Sequence, residues 1–239
     1  MATSEASAAI RAIRGLVHTS VSGGGGVQLH VVETGNPGGR PILFIHGFSQ
    51  CWLSWRPQMD SDPFAVSYGA IVILDYVRKY GESAIGGTCF VDAITKLGSE
   101  AALSVLTPEL LNLVPGLFSA DVQESADTVQ SFLRLVVDQQ QSEEDMYLML
   151  GYNLAVSPHV RQALFSRSFD NDDLLPKLRK PVLVMHGEQD AIVKPSIVEQ
   201  HLASMPHAEV RMIANAGHAP FLDQPERFNA AIRDFCGTL

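Results

Sequence analysis

Cysteine is scarce in this chain of 239 residues. Cys51, Cys89 and Cys236 are odd in number, far apart and without a CxxC spacing, which excludes a disulfide framework or a zinc knuckle and leaves reduced, mostly buried thiols. Positive charge is also in short supply. Lys and Arg number 17 against 26 Asp and Glu, a net charge of −9, and such a balance repels phosphate backbones and anionic lipid. Neither nucleic acid nor a membrane is an expected partner. No apolar run approaches the ~18 residues of a membrane span. The first residues, MATSEASAAIRAIRGLVHT, lack the unbroken apolar stretch of a secretory signal. Their Ala, Ser and Arg fit a transit peptide in composition, but Glu5 opposes that, and the expected address is cytoplasmic. The histidines show no HExxH or comparable ligand spacing, so no metal is expected, and His18, His30, His159, His186, His201 and His207 read as surface or satisfied core residues.

Apolar material is ample, at 46% hydrophobic residues, and the length suits one α/β domain of ~200–250 residues. Residues 16–21 and 27–33 read as extended stretches around the turn Gly23-Gly24-Gly25-Gly26. That glycine run is no phosphate loop, because Val27 and Gln28 follow it where Gly-Lys-Ser/Thr would be needed. After a second turn at 35–39, residues 41–45 (PILFI) read as a buried strand ending at His46-Gly47-Phe48. Residues 70–80 keep helical spacing through Ile71, Leu74, Val77 and Tyr80 until Gly81 stops them. Further strands are expected at 85–91, 181–185 and 210–213, and a closing helix from Pro225 buries Phe228, Ile232 and Phe235. Strand and helix alternate, so the sheet is expected to be mostly parallel. Between 99 and 168 the pattern is wholly helical, with start signals at Thr107-Pro108, Ser119, Ser142 and Ser157-Pro158.

Three residues far apart in sequence carry the expected chemistry. Ser67, in Ala65-Val66-Ser67-Tyr68-Gly69, has small residues two before and two after it, as a sharp strand-to-helix turn that exposes a hydroxyl requires. Alone it would read equally well as a helix N-cap. Asp190 follows the strand 181–185, and His218 follows in Asn215-Ala216-Gly217-His218-Ala219-Pro220. A serine hydroxyl is a poor nucleophile until an imidazole takes its proton, and the imidazole needs an anion to fix its tautomer. Asp92, at the end of another strand, is the alternative acid. Gly47 beside the Phe48 N–H permits close approach to an oxyanion, and Phe48 and Tyr68 are the expected donors.

In ILFIHGFSQ, VSYGAIVILDYV, PVLVMHGEQD and ANAGHAPFLDQPERF the chain resembles the α/β-hydrolase superfamily, specifically single-domain esterases and cofactor-free haloperoxidase-like members with a helical cap. The resemblance covers most of the chain. It implies an α/β-hydrolase core of residues 1–98 and 169–239 with a cap insertion at 99–168. By the same resemblance Ser67 is nucleophile, Asp190 acid and His218 base, with Phe48 and Tyr68 as the oxyanion hole. It implies a small carboxylic ester or lactone as substrate, and no cofactor. One departure stands out. His46 and Ser67 are 21 positions apart, where the family fits two helices and two strands, a crossover alone taking about a dozen residues. The expected fold therefore lacks one or more central strands. Either the sheet closes up by new pairings or the chain is a shortened form of an active hydrolase, with a catalytically silent, ligand-binding or non-functional protein as the alternative function. Eight regular strands would overturn both forms of the idea.

Overall fold

The computed structural model describes residues 16–39, 41–59 and 69–239. A hairpin comes first, β1 (Val17–Ser22) antiparallel to β2 (Gln28–Glu33), in register from Val17 opposite Glu33 to Ser22 opposite Gln28. Gly25 and Gly26 turn it with φ of 68° and 80°, a region open to glycine without steric cost. A 3₁₀ turn at Trp52–Trp55 leads into α1 (Arg56–Met59). The helix α2 (Gly69–Tyr80) ends where Gly81, at φ 75°, donates its N–H to the Val77 carbonyl. Its buried stripe is Gly69, Ala70, Ile71 and Leu74, while Tyr80 at the expected end of that stripe is exposed.

The strand β3 (Thr88–Val91) begins three residues later than the sequence pattern suggests. After the short β4 (Lys96–Leu97) come five helices: α3 (Glu100–Ser104), α4 (Pro108–Leu117), α5 (Val122–Val136), α6 (Glu143–Leu154) and α7 (Pro158–Phe165). Thr107 caps α4 and Ser142 caps α6 through their side-chain oxygens, as the sequence suggests. The cap of α5 is Asp121 instead. Ser119 accepts from the Asp121 N–H and bonds Glu124, so it braces the cap from outside the helix. The chain then forms β5 (Phe169–Asp170), β6 (Val182–Gly187), α8 (Ile197–Ser204), β7 (Glu209–Ile213), α9 (Pro220–Asp223) and α10 (Pro225–Gly237). Phe228, Ile232 and Phe235 are buried on α10.

The central sheet is parallel, in the order β3-β6-β7, with Phe90 beside Val184 and Val184 beside Val210. Every residue of β3 and β6 is buried, as expected for strands covered by helices on both faces. Among the described residues the strands form three separate sheets. The hairpin and the β4–β5 pair each stand apart from the central one.

Residues 41–45 correct the expectation of a buried strand. They join no ladder among the described residues, and the Leu43 side chain is 71% exposed. The described part of the connection after His46 forms a 3₁₀ turn and α1 rather than a neighbouring strand. What the segment does touch is the start of α2: a Cβ on Gly69 would sit 2.6 Å from the Ile45 carbonyl oxygen.

A buried arginine on α7 ties α4, α5 and α6 to its own helix. Arg161 donates from Nε to the Leu117 carbonyl at 2.8 Å, from a terminal nitrogen to the Asn153 carbonyl at 3.2 Å, and from the other to Ser125 Oγ at 2.5 Å. Leu117 and Asn153 lie at the C-terminal ends of α4 and α6, so the cation answers two sets of terminal carbonyls and the negative ends of two helix dipoles.

Candidate active site

The parallel strands end on a cluster of two carboxylates and two imidazoles. Asp190 sits in the turn after β6, with its Oδ1 accepting the N–H groups of Ile192 at 2.7 Å and Val193 at 3.0 Å. Its Oδ2 lies 2.8 Å from Nδ1 of His218 and 3.1 Å from Nε2 of His186. Burial opposes ionisation of Asp190, but the His218 and His186 imidazoles outweigh it and hold the carboxyl below the usual carboxylate range. Asp92, at the end of β3, shows the opposite balance. It is fully buried, its Oδ1 accepts the Gly187 N–H at 2.8 Å, and burial pushes its carboxyl well above the usual range. His218 Nδ1 thus meets Asp190, and no hydrogen bond to Asp92 joins it among the described residues. Asp92, Asp190 and His218 each bring one ligand-type atom within 4.8 Å of the others. Hydrogen bonds already occupy both oxygens of Asp190 and Nδ1 of His218, which leaves that set little to offer a metal ion.

Two glycines make the cluster possible. A Cβ on Gly187 would run into the carbonyl oxygens of Ala216 and Gly217, and one on Gly217 would come within 3.0 Å of backbone atoms at Val136 and Asp138. The loop carrying His218 therefore lies directly on the end of β6 and on the end of α5. Asp223 holds it there. Its Oδ2 accepts from Gly217 N–H at 2.8 Å and Asp138 N–H at 2.9 Å, and its Oδ1 from Gln139 N–H at 3.0 Å and Gln141 at 3.3 Å.

The loop after residue 45 approaches the same place. Gly47 N–H donates to Gln50 Oε1 at 3.2 Å, and Ser49, at φ 58°, donates its hydroxyl to the Asn153 carbonyl on α6 at 3.2 Å. The Phe48 ring lies edge-on to Phe165, 6.3 Å between centroids. Phe48, Leu110, Phe132, Phe165 and Val193 line a cavity of about 60 Å³ that has His218 in its wall. Apart from His218, Gln50 is its one polar lining residue, and no other ionisable side chain faces it among the described residues.

Of the residues expected from sequence, Asp190, His218 and Phe48 come together around this cavity, and Asp92 lies behind them. Ser67 and Tyr68 fall outside the described residues. His186 and Asp223 were not foreseen as parts of the site. His186 reads as one histidine among eight until it is seen near the buried end of β6 beside Asp190, and Asp223 carries no signal beyond lying five residues after His218. The expectation that the remaining histidines are surface or satisfied core residues fails at His201, which is buried with no hydrogen bond to either ring nitrogen.

A family model described as "Alpha/beta hydrolase family" matches residues 59–231, most of the chain. The chain belongs to the alpha/beta hydrolase family. Its parallel sheet flanked by helices is the α/β-hydrolase fold, and the structure is similar to that of the esterase RhEst1 from Rhodococcus sp. ECU1013. That likeness has a TM-score of 0.85 and 25% identity over 94% of this chain and 99% of the other. A pimeloyl-(acyl-carrier protein) methyl ester esterase of Stenotrophomonas maltophilia is 37% identical over 76 residues, which is 30% of this chain and 29% of that protein. The polyketide synthase ThaQ of Burkholderia thailandensis is 42% identical over 67 residues, 28% of this hydrolase-family chain and 3% of the synthase. The chain spans less than a third of the length of these two curated relatives. Among its described residues no helix is long and apolar enough to cross a membrane.

Proposed function

We propose that this chain is a serine hydrolase cleaving a small carboxylic ester or lactone, with Ser67 as nucleophile, His218 as base and Asp190 as acid. The observation that carries the reading is the Asp190–His218 hydrogen bond of 2.8 Å at the wall of an apolar cavity. A buried anion on Nδ1 keeps the proton there and leaves Nε2 to take the proton from the Ser67 hydroxyl. Ser67 Oγ then bonds to the ester carbonyl carbon, and the carbonyl oxygen becomes an oxyanion held by the N–H groups of Phe48 and Tyr68. The Phe48 N–H donates to no acceptor among the described residues, so it is available for that task. Collapse of the intermediate breaks the carbon–oxygen bond, and His218 returns its proton to the leaving alcohol. Water repeats the sequence on the acyl-enzyme and releases the acid. The helices of residues 99–168 act as a cap over the acyl or alcohol group.

An apolar lining favours an uncharged substrate. That RhEst1 and the Stenotrophomonas relative are named as esterases supports the same class. Composition favours a cytoplasmic setting. The test is hydrolysis of p-nitrophenyl esters of short acids by the purified chain and by Ser67→Ala. Loss of turnover in the variant is expected, and turnover that persists in it would refute the assignment. A second reading is favoured by residues 41–45, which join no ladder among the described residues: a catalytically silent protein that keeps the pocket and binds an apolar ligand, or a shortened form without function. Saturable ligand binding with no turnover in the unaltered chain would select the binding form.

A further inference from the structure

His186 has no part in the chemistry above, yet it reaches the centre of the cluster. The residue is the next-to-last of β6 and is 1% exposed. Its Nε2 lies 3.1 Å from the Val193 carbonyl oxygen and 3.1 Å from Asp190 Oδ2. A carbonyl oxygen only accepts, so Nε2 carries a proton, which it gives to the Val193 carbonyl while Asp190 Oδ2 lies at 3.1 Å from the same nitrogen. Asp190 Oδ2 is the same oxygen that His218 Nδ1 approaches at 2.8 Å. With Oδ1 already taken by two backbone N–H groups, both imidazoles lie against the one oxygen left, and Asp92 also interacts with the Asp190 side chain.

We propose that His186 is a positioning residue that shares Asp190 Oδ2 with His218 and thereby sets how firmly the carboxylate holds the base. This deepens the reading of Asp190 and His218 as acid and base and rests on it. A second donor on Oδ2 draws charge density from the bond to His218. Without it the carboxylate concentrates on His218 and stabilises the protonated imidazole. The neighbouring groups leave that effect visible. Asp92 faces the pair from the end of β3, 3.6 Å from His186 Nε2, with its carboxyl pushed well above the usual range by burial. His201 on α8 is pushed down to about 4 by burial and by His186, so it is neutral near pH 7. The Cys89 thiol on β3 is pushed up by burial, and Asp223 is engaged with backbone N–H groups of the His218 loop.

The test follows the titration of the His218 ring by NMR in the full chain, beside the pH dependence of fluorophosphonate labelling. In His186→Phe, which removes the donor, the titration of His218 is expected to move up by about one unit. Labelling on the acidic limb should fall about tenfold, since one unit is a factor of ten, while the alkaline plateau changes far less. His186→Gln, whose amide nitrogen reaches the Nε2 position, is expected to restore the original profile. His186→Asn, whose amide reaches only the Nδ1 position, is expected to behave like the Phe variant. An unmoved or lowered titration in a folded Phe or Asn variant, or an equal loss at every pH, overturns the proposal. If neither variant folds, the tautomer of His186 in the unaltered chain decides. A proton on Nε2 supports the proposal, and a proton on Nδ1 alone overturns it. Absence of labelling in the unaltered chain would count against the serine chemistry, while the NMR titration would still report on the shared oxygen.

Discussion

His218 and Asp190 lie 28 positions apart in sequence and 2.8 Å apart between Nδ1 and Oδ2. Asp92 lies close by but is arranged differently: its Oδ1 takes the Gly187 N–H, and burial pushes its carboxyl well above the usual carboxylate range. Two acids that looked interchangeable from strand-end position alone are thus separated by their donors.

The two acids should respond differently to the same substitution. Asp190→Asn is expected to lower kcat/KM by about 10³–10⁴-fold, because an amide stabilises the wrong imidazole tautomer. Asp92→Asn is expected to change it less than about threefold. Ester hydrolysis assays on the two variants, with circular dichroism to confirm folding, compare them directly.

Much of the fold was legible because hydrophobic period and turn chemistry agreed. Gly81 stopped α2, Thr107-Pro108 opened α4, and the run 181–185 became the fully buried β6. Asp190 and His218 were legible because each follows a strand or sits in a glycine-shaped loop. Pairing, by contrast, is not a local property. PILFI has the residues of a buried strand, but among the described residues it has no neighbour, and Leu43 faces solvent. His186 and Asp223 were not legible for the same reason, since their roles depend on donors supplied from distant segments.

The segment 41–45, which joins no ladder among the described residues, makes a further prediction. Amide protons of residues 42–45 are expected to exchange with solvent several orders of magnitude faster than those of Leu183, Val184 and Met185, which sit in the middle of the parallel ladder. Hydrogen exchange followed by peptide mass spectrometry measures both. Equal protection would mean that residues 41–45 are paired in solution.

Asp223 accepts four hydrogen bonds that join the His218 loop to the end of α5. Asp223→Ala leaves those donors without their partner, and each one that stays buried costs about 1–3 kcal/mol. Urea unfolding is expected to show a loss of at least that size, together with a lower kcat as His218 loses its fixed place.

His201 gives the chain a pH-dependent stability. Burial lowers the imidazole to about 4, below the ~6.5 of an exposed histidine. The unfolded chain therefore binds more protons between those values. The stability from neutral burial is complete above pH ~6.5, is lost as pH falls toward 4, and is flat below that, a total of roughly 3 kcal/mol. In His201→Leu this contribution should vanish. Urea midpoints at pH 7 and pH 4.5 should therefore differ less in the variant than in the unaltered chain.

The central claim is that a working nucleophile, base and oxyanion hole assemble despite the short connection before Ser67. Labelling the purified chain with a fluorophosphonate probe and locating the adduct by peptide mass spectrometry tests it most directly. An adduct on Ser67 that disappears in His218→Ala is the expected result. A folded chain that takes no label, or takes it elsewhere, would contradict the claim and leave the cluster of Asp190 and His218 as a scaffold without a nucleophile.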